Sequence, residues 1–503
     1  MRTLILLLPC LTLLLTRPAY GDEVPFFSSL RETLTNQLTI ANVQASNTAS
    51  YSVTASNTLG SITSTPAMLN VVGKGITFTN PTPAPGDGFG FPVAAVGSDR
   101  VLIGAWLNNT ATFTGAAYLF STNGALLTTF TNPTPASFDS FGFAVAGVGS
   151  NQVVIGAGGD DAGADRAGAA YLFSTSGILL TTFTNPSPAI GDTFGHAVAA
   201  VGSDKILIAA PYDNTGASRA GAAYVFSTNG TLLTTITNPT PAPEDRFGSA
   251  VAALGSDLVI VGAPQDNTGA REAGSVYLFS TSGTLLTSIT NPTPASGDWF
   301  GSAVAAVGND RVVVAAPYEN TGASDAGAAY LFSTNGTLLT TITNPTPAFG
   351  DEFGSALAAV GSDRVLIGAS RDNTGAADAG AAYLFSTNGT LLTTFTNFTP
   401  ANSELFGTSL TAVGSERVLI GTSGVGEAYL FELPGVLAPS TILAIGPAGV
   451  GQMTISWPDA PGFVLQERAS LSPANWTNSA SGATNPTRVP TTGSSKFYRL
   501  FKP

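Results

Sequence analysis

Phe247-Gly-Ser-Ala-Val-Ala-Ala-Leu254, Leu258-Val-Ile-Val-Gly262, Ser275-Val-Tyr-Leu-Phe279 and Thr284-Leu-Leu-Thr-Ser-Ile-Thr290 are four short apolar runs met in succession. Gly255-Ser-Asp257 closes the first. Ala263-Pro264 and a polar stretch over 265–274 follow the second, and Ser282-Gly283 turns the third. Asn291-Pro-Thr-Pro294 ends the fourth. Runs of this length, bounded by Gly, Pro, Asn and Ser, read as strands. Sister stretches place Asn-Gly at the third turn (Asn123-Gly124, Asn229-Gly230, Asn335-Gly336, Asn388-Gly389), a hairpin signal because both residues tolerate positive φ. Four antiparallel strands in about 50 residues, with no helical period, describe one blade of a propeller.

The unit recurs. Phe-Gly returns at Phe89, Phe141, Phe194, Phe247, Phe300, Phe353 and Phe406, with a first step of 52 residues and then steps of 53. A period near 50 means stacked copies of one supersecondary unit. Seven runs match each of the first three strands, but the last repeat stops at Ala428-Tyr-Leu-Phe431, short of a fourth. The missing run stands at the other end: Ile76-Thr-Phe-Thr-Asn-Pro copies the fourth-strand sequence Thr182-Phe-Thr-Asn-Pro. The expectation is an all-β chain whose seven-bladed propeller closes when residues 76–80 join the last blade. Closure leaves no free strand edge at the seam.

Composition bounds the setting. The chain has 503 residues, only 10% of them charged, and its apolar residues alternate in short runs that argue for order. Arg2, the apolar run Leu4 to Leu15 and Ala19-Tyr-Gly21 read as a secretory signal over 1–21, too short to span a bilayer. Cys10 is the single cysteine and falls inside it, so disulfide, thiol and thiolate-metal chemistry are not expected afterwards. The net charge is −13, and loss of Arg2 and Arg17 leaves 17 basic against 32 acidic residues, or −15. That disfavours nucleic acid and anionic membranes as partners. A secreted or surface-held monomer that meets extracellular protein or glycan is expected, with no membrane insertion.

Phe-Gly at the inner strand and Gly262-Ala-Pro264 after the second strand, with Ala209-Ala-Pro211 and Ala315-Ala-Pro317 beside it, resemble the FG-GAP repeats of integrin α-subunit propellers. The bacterial branch, with Phe-Gly, a Val-Ala run, Gly-Ala-Pro and a Tyr-x-Phe strand, is the nearer likeness. It covers residues 74–433 and implies an extracellular seven-bladed propeller used in adhesion or protein binding. The integrin-type calcium loop, Asp-x-Asp-x-Asp-Gly, does not stand between the first two strands, where only Gly-Ser-Asp-Arg (97–100, 361–364) or a close variant is found. That turn offers too few oxygens to enclose Ca²⁺, so the family's calcium site is not expected here; no cofactor is called for, and Ca²⁺ stays the one candidate.

The segment 22–73 contains Leu38 to Gly60, which resembles the last strands of an immunoglobulin-like domain, with Tyr51 at the tyrosine-corner position and Val53 where a cysteine is usual. Residues 436–503, with Met453-Thr-Ile-Ser-Trp457 and Phe497-Tyr-Arg-Leu-Phe501, resemble the small terminal β-sandwich modules of secreted multidomain proteins.

In an up-and-down blade the loop after strand two and the loop entering strand one share a face. Here that face carries the long loops, while tight Gly-Ser-Asp and Asn-Gly turns fill the other. Binding is expected on the long-loop face. An acid stands two residues before each Phe: Asp87, Asp139, Asp192, Asp245, Asp298, Asp351 and Glu404. These seven read either as a carboxylate ring at the channel mouth, for a cation or basic partner, or as turn caps at each strand entry. Asp160, Asp161 and Asp165 cluster in one loop, as weak metal ligands or a solvated loop. Trp106, Phe113, Phe138, Tyr212, Trp299, Tyr318 and Phe349 lie in or beside long-face loops, where they would stack on sugars, anchor a protein or pack between blades.

Catalysis is not expected. His196, the sole histidine, replaces Ser249, Ser302 or Ser355 of other repeats and reads as drift. No nucleophile elbow, His-x-x-x-His pair or phosphate-cradling loop is present. The leading expectation is a non-enzymatic binding or adhesion protein. A propeller-based polysaccharide lyase or hydrolase, and a structural envelope component, are the alternatives.

Overall fold

The second strand of each repeat decides how the molecule is built. Leu258–Ala263 is buried on both faces from Val259 onward, and so is its counterpart in all seven repeats. A strand apolar on both sides has to be sandwiched between two sheets. The fourth strand, Leu285–Thr290, has one buried side chain, Ile289, and faces solvent elsewhere. Burial therefore falls outward along each sheet.

A computed structural model describes residues 75–433, apart from 85 and 109–111, and beyond that span gives only the backbone of short strands. Seven four-stranded antiparallel sheets form seven blades. Their first strands are Phe89–Val96, Phe141–Val148, Ala197–Val201, Ala250–Leu254, Val304–Val307, Phe353–Val360 and Phe406–Val413 (blades 1 to 7). Each packs on the next, and the seventh packs on the first. The first strands thus line a central axis, and among the described residues there is no helix. In blades 3 to 5 the first strand starts after Phe-Gly, which stands as a turn ahead of it.

The seam closes as the repeat count requires. Ile76–Thr79 pairs antiparallel with Glu427–Glu432, Ile76 opposite Leu430 and Thr79 opposite Glu427, and supplies blade 7 with its fourth strand. Seven apolar clusters then fill the seven interfaces. One joins Leu207, Val225 and Ile236 of blade 3 to Phe247, Val259 and Phe279 of blade 4. Another joins Val413, Leu419 and Leu430 of blade 7 to Phe89, Ile103 and Phe120 of blade 1, across the seam.

The Phe-Gly pair is the clip between blades. Phe247 is fully buried and meets Phe279 edge-on at 6.0 Å and Tyr277 at 5.8 Å. Its N–H donates to the carbonyl of Ala220, at the end of the previous blade's long loop, at 2.9 Å. Gly221 follows with φ +86°, and a Cβ there would lie 2.1 Å from the Phe247 oxygen. Only glycine permits that approach.

The tight-turn face is laced together by cations. Arg100, Lys205, Arg311, Arg364 and Arg417 start their second strands and each reaches a backbone carbonyl of the next blade: Ser150, Ser256, Ser362, Ser415 and Ser98. The chain also enters the ring at Ile76 and leaves it at Leu433 on this face, because the third and fourth strands meet there.

The expected signal over 1–21, the immunoglobulin-like segment over 22–73 and the module over 436–503 lie outside the described residues. Strand backbone alone is placed there: Thr3–Leu7 with Gln37–Ala41, Ala49–Tyr51 with Ala67–Leu69, and Thr54–Asn57 with Gly60–Thr63. In the C-terminal unit, Gln452–Ser456 sits between Ala444–Gly449 and Thr487–Pro490, and Val464–Arg468 between Thr477–Asn478 and Phe497–Phe501.

Candidate functional site

Each inner strand is entered through one repeated device. In blade 4 the Asp245 carboxylate accepts from the Asn238 side-chain amide at 2.8 Å and from the Ala242 N–H at 2.7 Å. Asp139, Asp192, Asp298 and Asp351 bind their own loops in the same way. Asp87 adds the Phe89 N–H, and Glu404 accepts from Ala401. All seven acids are at most 4% exposed. One oxygen of each caps its turn, as the structural reading requires, while the second oxygen of Asp139, Asp192, Asp245, Asp298, Asp351 and Glu404 is buried without a hydrogen-bond partner among the described residues. Burial is the first cause that pushes Asp139 and Asp245 up to about 6, and it raises Asp192, Asp298, Asp351 and Glu404 in the same direction.

A second acid stands behind the first. Asp160, Asp213, Asp266, Glu319 and Asp372 are buried and accept from Tyr171, Tyr224, Tyr277, Tyr330 and Tyr383. The Tyr of the Tyr-x-Phe strand thus belongs to the loop scaffold. Asp160 is spent in this network, whereas Asp161 is exposed and accepts the Arg166 N–H at 2.8 Å, and Asp165 is exposed. Among the described residues no group of three or more His, Cys, Asp and Glu side chains is arranged to hold a metal.

On this uniform scaffold two left-handed positions change from blade to blade: one lies in the loop after strand two (Phe113, Arg166, Arg219, Glu272, Asp325, Asp378), and the other precedes each Phe. The residue between the acid and the Phe is Gly88, Ser140, Thr193, Arg246, Trp299, Glu352 or Leu405, with φ between 54° and 71° throughout. The left-handed region costs a non-glycine residue about 1 kcal/mol or more, and a β-branched Thr more still. Yet glycine is used once. Each of these residues lies between the long loops of its own blade and the blade before. Trp299 meets Tyr318 edge-on at 5.0 Å and points Nε1 at Glu272, 3.4 Å away. Glu352 pairs with Arg371 at 3.1 Å.

The residue after Phe-Gly divides the channel mouth in two. It is Phe91, Phe143 and His196 in blades 1 to 3, and Ser249, Ser302, Ser355 and Thr408 in blades 4 to 7. The aromatic half is continuous. Phe91 meets Phe143 at 6.1 Å, Phe143 meets Trp106 at 5.3 Å and His196 at 4.9 Å, and His196 meets Tyr212 at 6.2 Å. Arg246 lies over the Tyr212 ring at 5.2 Å and Arg219 at 5.8 Å, with Glu244 paired to both guanidinium groups. Burial, and then the Arg246 charge, lower the His196 pKa to about 4, so the ring is neutral at pH 7.

The expected aromatics therefore separate. Trp106 and Tyr212 join the mouth, and Trp299 and Tyr318 form a pair of their own on blade 5. Phe138 stacks on Phe113 at 5.4 Å and is 58% exposed, while Phe349 is 77% exposed. The sequence alone does not single out Phe91, Phe143, Arg219 and Arg246, and His196 is more than the drift it reads as there. The available signal was that three successive blades put an aromatic ring in one column. At the seam, blade 7 replaces the long loop with Ser423–Gly426, leaving a notch of about 460 Å³ lined by Asn80, Asp87, Gly88 and Glu427.

The FG-GAP repeat family matches residues 129–173, 182–226, 232–279, 285–332 and 338–385. The chain is an FG-GAP repeat β-propeller. Each matched stretch begins in or at the fourth strand of one blade and ends with the third strand of the next, so the family's repeat bridges two blades. In that frame Ile76–Thr79 opens the first repeat and Glu427–Glu432 ends the seventh, which is the arrangement that closes the ring. Among solved structures, the chain is similar to the crystal structure of the C-terminal WD40 domain of Sif2, at 13% identity and a TM-score of 0.42, covering 69% of this chain and 81% of that one. No curated protein matches the sequence.

Proposed function

We propose that this FG-GAP propeller is a non-enzymatic binding protein that works outside the cell and takes an extracellular protein or glycan at the channel mouth of its long-loop face. One observation carries the reading. On a scaffold repeated almost residue for residue, that mouth gathers unlike side chains: rings in blades 1 to 3, small hydroxyl residues in blades 4 to 7 and seven different residues at a backbone position that favours glycine. Strained positions that keep non-glycine side chains are a mark of use. Ile76 and Leu433, where the described ring begins and ends, stand on the opposite face.

Adhesion and secretion belong to this reading through the likeness to integrin-type repeats and the signal-like first residues. The lyase or hydrolase alternative needs raised carboxylates converging on a cleft. The raised acids here are turned into separate loops, one per blade, which favours binding over turnover. A glycan and protein array, run with and without Ca²⁺ and repeated with Trp106→Ala and Trp299→Ala, tests the proposal. Saturable binding weakened by either change supports it. Binding untouched by both, or turnover of a polysaccharide, overturns it.

A further inference from the structure

The cations of this acidic chain are not spread evenly. Ten Lys and Arg side chains fall within residues 75–433. Five tie blades together on the tight-turn face. The other five, Arg166, Arg219, Arg246, Arg271 and Arg371, stand on long-face loops, and the first four lie within residues 166–271, beside blades 2 to 4. Arg219 and Arg246 share one carboxylate, Glu244, at 3.3 and 3.9 Å. Two guanidinium groups carry ten N–H donors and the Glu244 carboxylate answers few of them, so donors of this trio remain free beside the Tyr212 ring.

This cationic spot adjoins the aromatic half of the mouth, which His196 and Tyr212 connect without a gap. Rings beside planar cations suit a ligand with apolar CH faces and a carboxylate. Phe349, the most exposed aromatic, stands in the entry loop of blade 6, outside this sector, while Phe138 stands in that of blade 2 and stacks on Phe113.

We propose that the mouth recognises an acidic oligosaccharide, with its sugar faces on the Phe143–His196–Tyr212 run and its carboxylates on Arg219 and Arg246. This rests on the binding function proposed above and gives it a ligand class. Long-range attraction is unfavourable between a polyanion and a chain of net charge −13, so the recognition is short-range and bidentate.

The test is calorimetry of the full chain against oligogalacturonate, oligomannuronate and chondroitin oligosaccharides, each compared with its carboxyl-reduced form. His196, as the single histidine, supplies an independent readout through its ring resonances. At least one acidic sugar is expected to bind about tenfold or more tighter than its reduced form and to move the His196 signals. The Arg219→Ala/Arg246→Ala double variant should lose that preference while melting normally, and Arg246→Lys should recover only part of it. Equal binding of reduced and acidic sugars, no binding of any, or indifference to the double variant overturns the ligand class. If a neutral glycan or a protein moves the His196 signals instead, the mouth remains the site and only the class falls. If every array ligand leaves both His196 and Trp299 unmoved, the mouth itself is wrong.

Discussion

The Arg417 guanidinium donates to the carbonyl of Ser98 at 2.6 Å, across 319 positions of sequence. Arg311 makes the same bond to Ser362 inside the array, 51 residues on. One tie needs the ring to be closed and the other does not. Both side chains are partly exposed, so each tie is worth about 1 kcal/mol, below the roughly 1.5–3 kcal/mol of a hydrogen bond from a better-buried charged group. Arg417→Ala and Arg311→Ala should therefore lower stability by similar amounts in denaturant titration. An Arg417→Ala variant as stable as the parent, beside a weakened Arg311→Ala, would mean an open seam.

Strand Ile76–Thr79 makes the larger contribution to closure. Phe78 is 2% exposed and packs on Phe120 at 5.2 Å, inside the cluster that joins blades 7 and 1. Phe78→Ala should cost about 3–5 kcal/mol, the usual range for emptying a packed aromatic site. A chain starting at Pro81 should do worse than one starting at Gly75. It would leave the edge of Glu427–Glu432 unpaired and ready to take a strand from another molecule. Sedimentation of the two truncations measures this, and a monodisperse chain starting at Pro81 would contradict it.

The architecture was legible because its signals are local and repeated. Phe247-Gly248, the Asn-Gly turns and the fourth-strand copy at Ile76 each occur where a blade boundary falls, and repetition fixed the register. The seven acids were legible as a column, but only the coordinates show that one oxygen of each is held by its own loop, Asp245 by Asn238 and Ala242 for example. The mouth was harder to read. Arg246 reaches Tyr212 across the boundary between neighbouring blades, and no sequence period relates a cation in one loop to a ring in another. The left-handed position was hidden for a different reason. Trp299 and Glu352 are residues that do not announce a positive φ, so their shared backbone state appears only in three dimensions.

Two glycines separate backbone conformation from space. Gly274 and Gly297 have φ +89° and +86°. A Cβ on Gly274 would lie 2.0 Å from the Phe300 carbonyl oxygen, while Gly297 has nothing within 4 Å. Gly297→Ala should cost about 1–2 kcal/mol, the penalty of the left-handed region alone. Gly274→Ala should cost about 3–5 kcal/mol, since it adds overpacking and parts the clip between Phe300 and Ala273. Equal losses in thermal unfolding would show that the clip does not hold neighbouring blades together.

Acid should strengthen the fold. Asp139 and Asp245 hold their protons up to about pH 6, and Asp192, Asp298, Asp351 and Glu404 move the same way, because burial penalises the charged form. As pH rises from about 4 to 6 the unfolded chain releases protons that the folded chain keeps, so stability falls. The loss is about 1.4 kcal/mol for every tenfold difference in proton affinity between the folded and unfolded group. His196 opposes this. Its folded pKa of about 4 lies below the ordinary 6.5, so its contribution is lost as pH drops between those values. Six acids outweigh one imidazole, and the melting temperature should be higher at pH 4.5 than at pH 7.5. Asp245→Asn should flatten the slope and His196→Asn should steepen it toward the acid side. A parent chain that melts lower at pH 4.5 would show that the buried carboxylates are charged throughout and that their Asn and backbone donors outweigh desolvation.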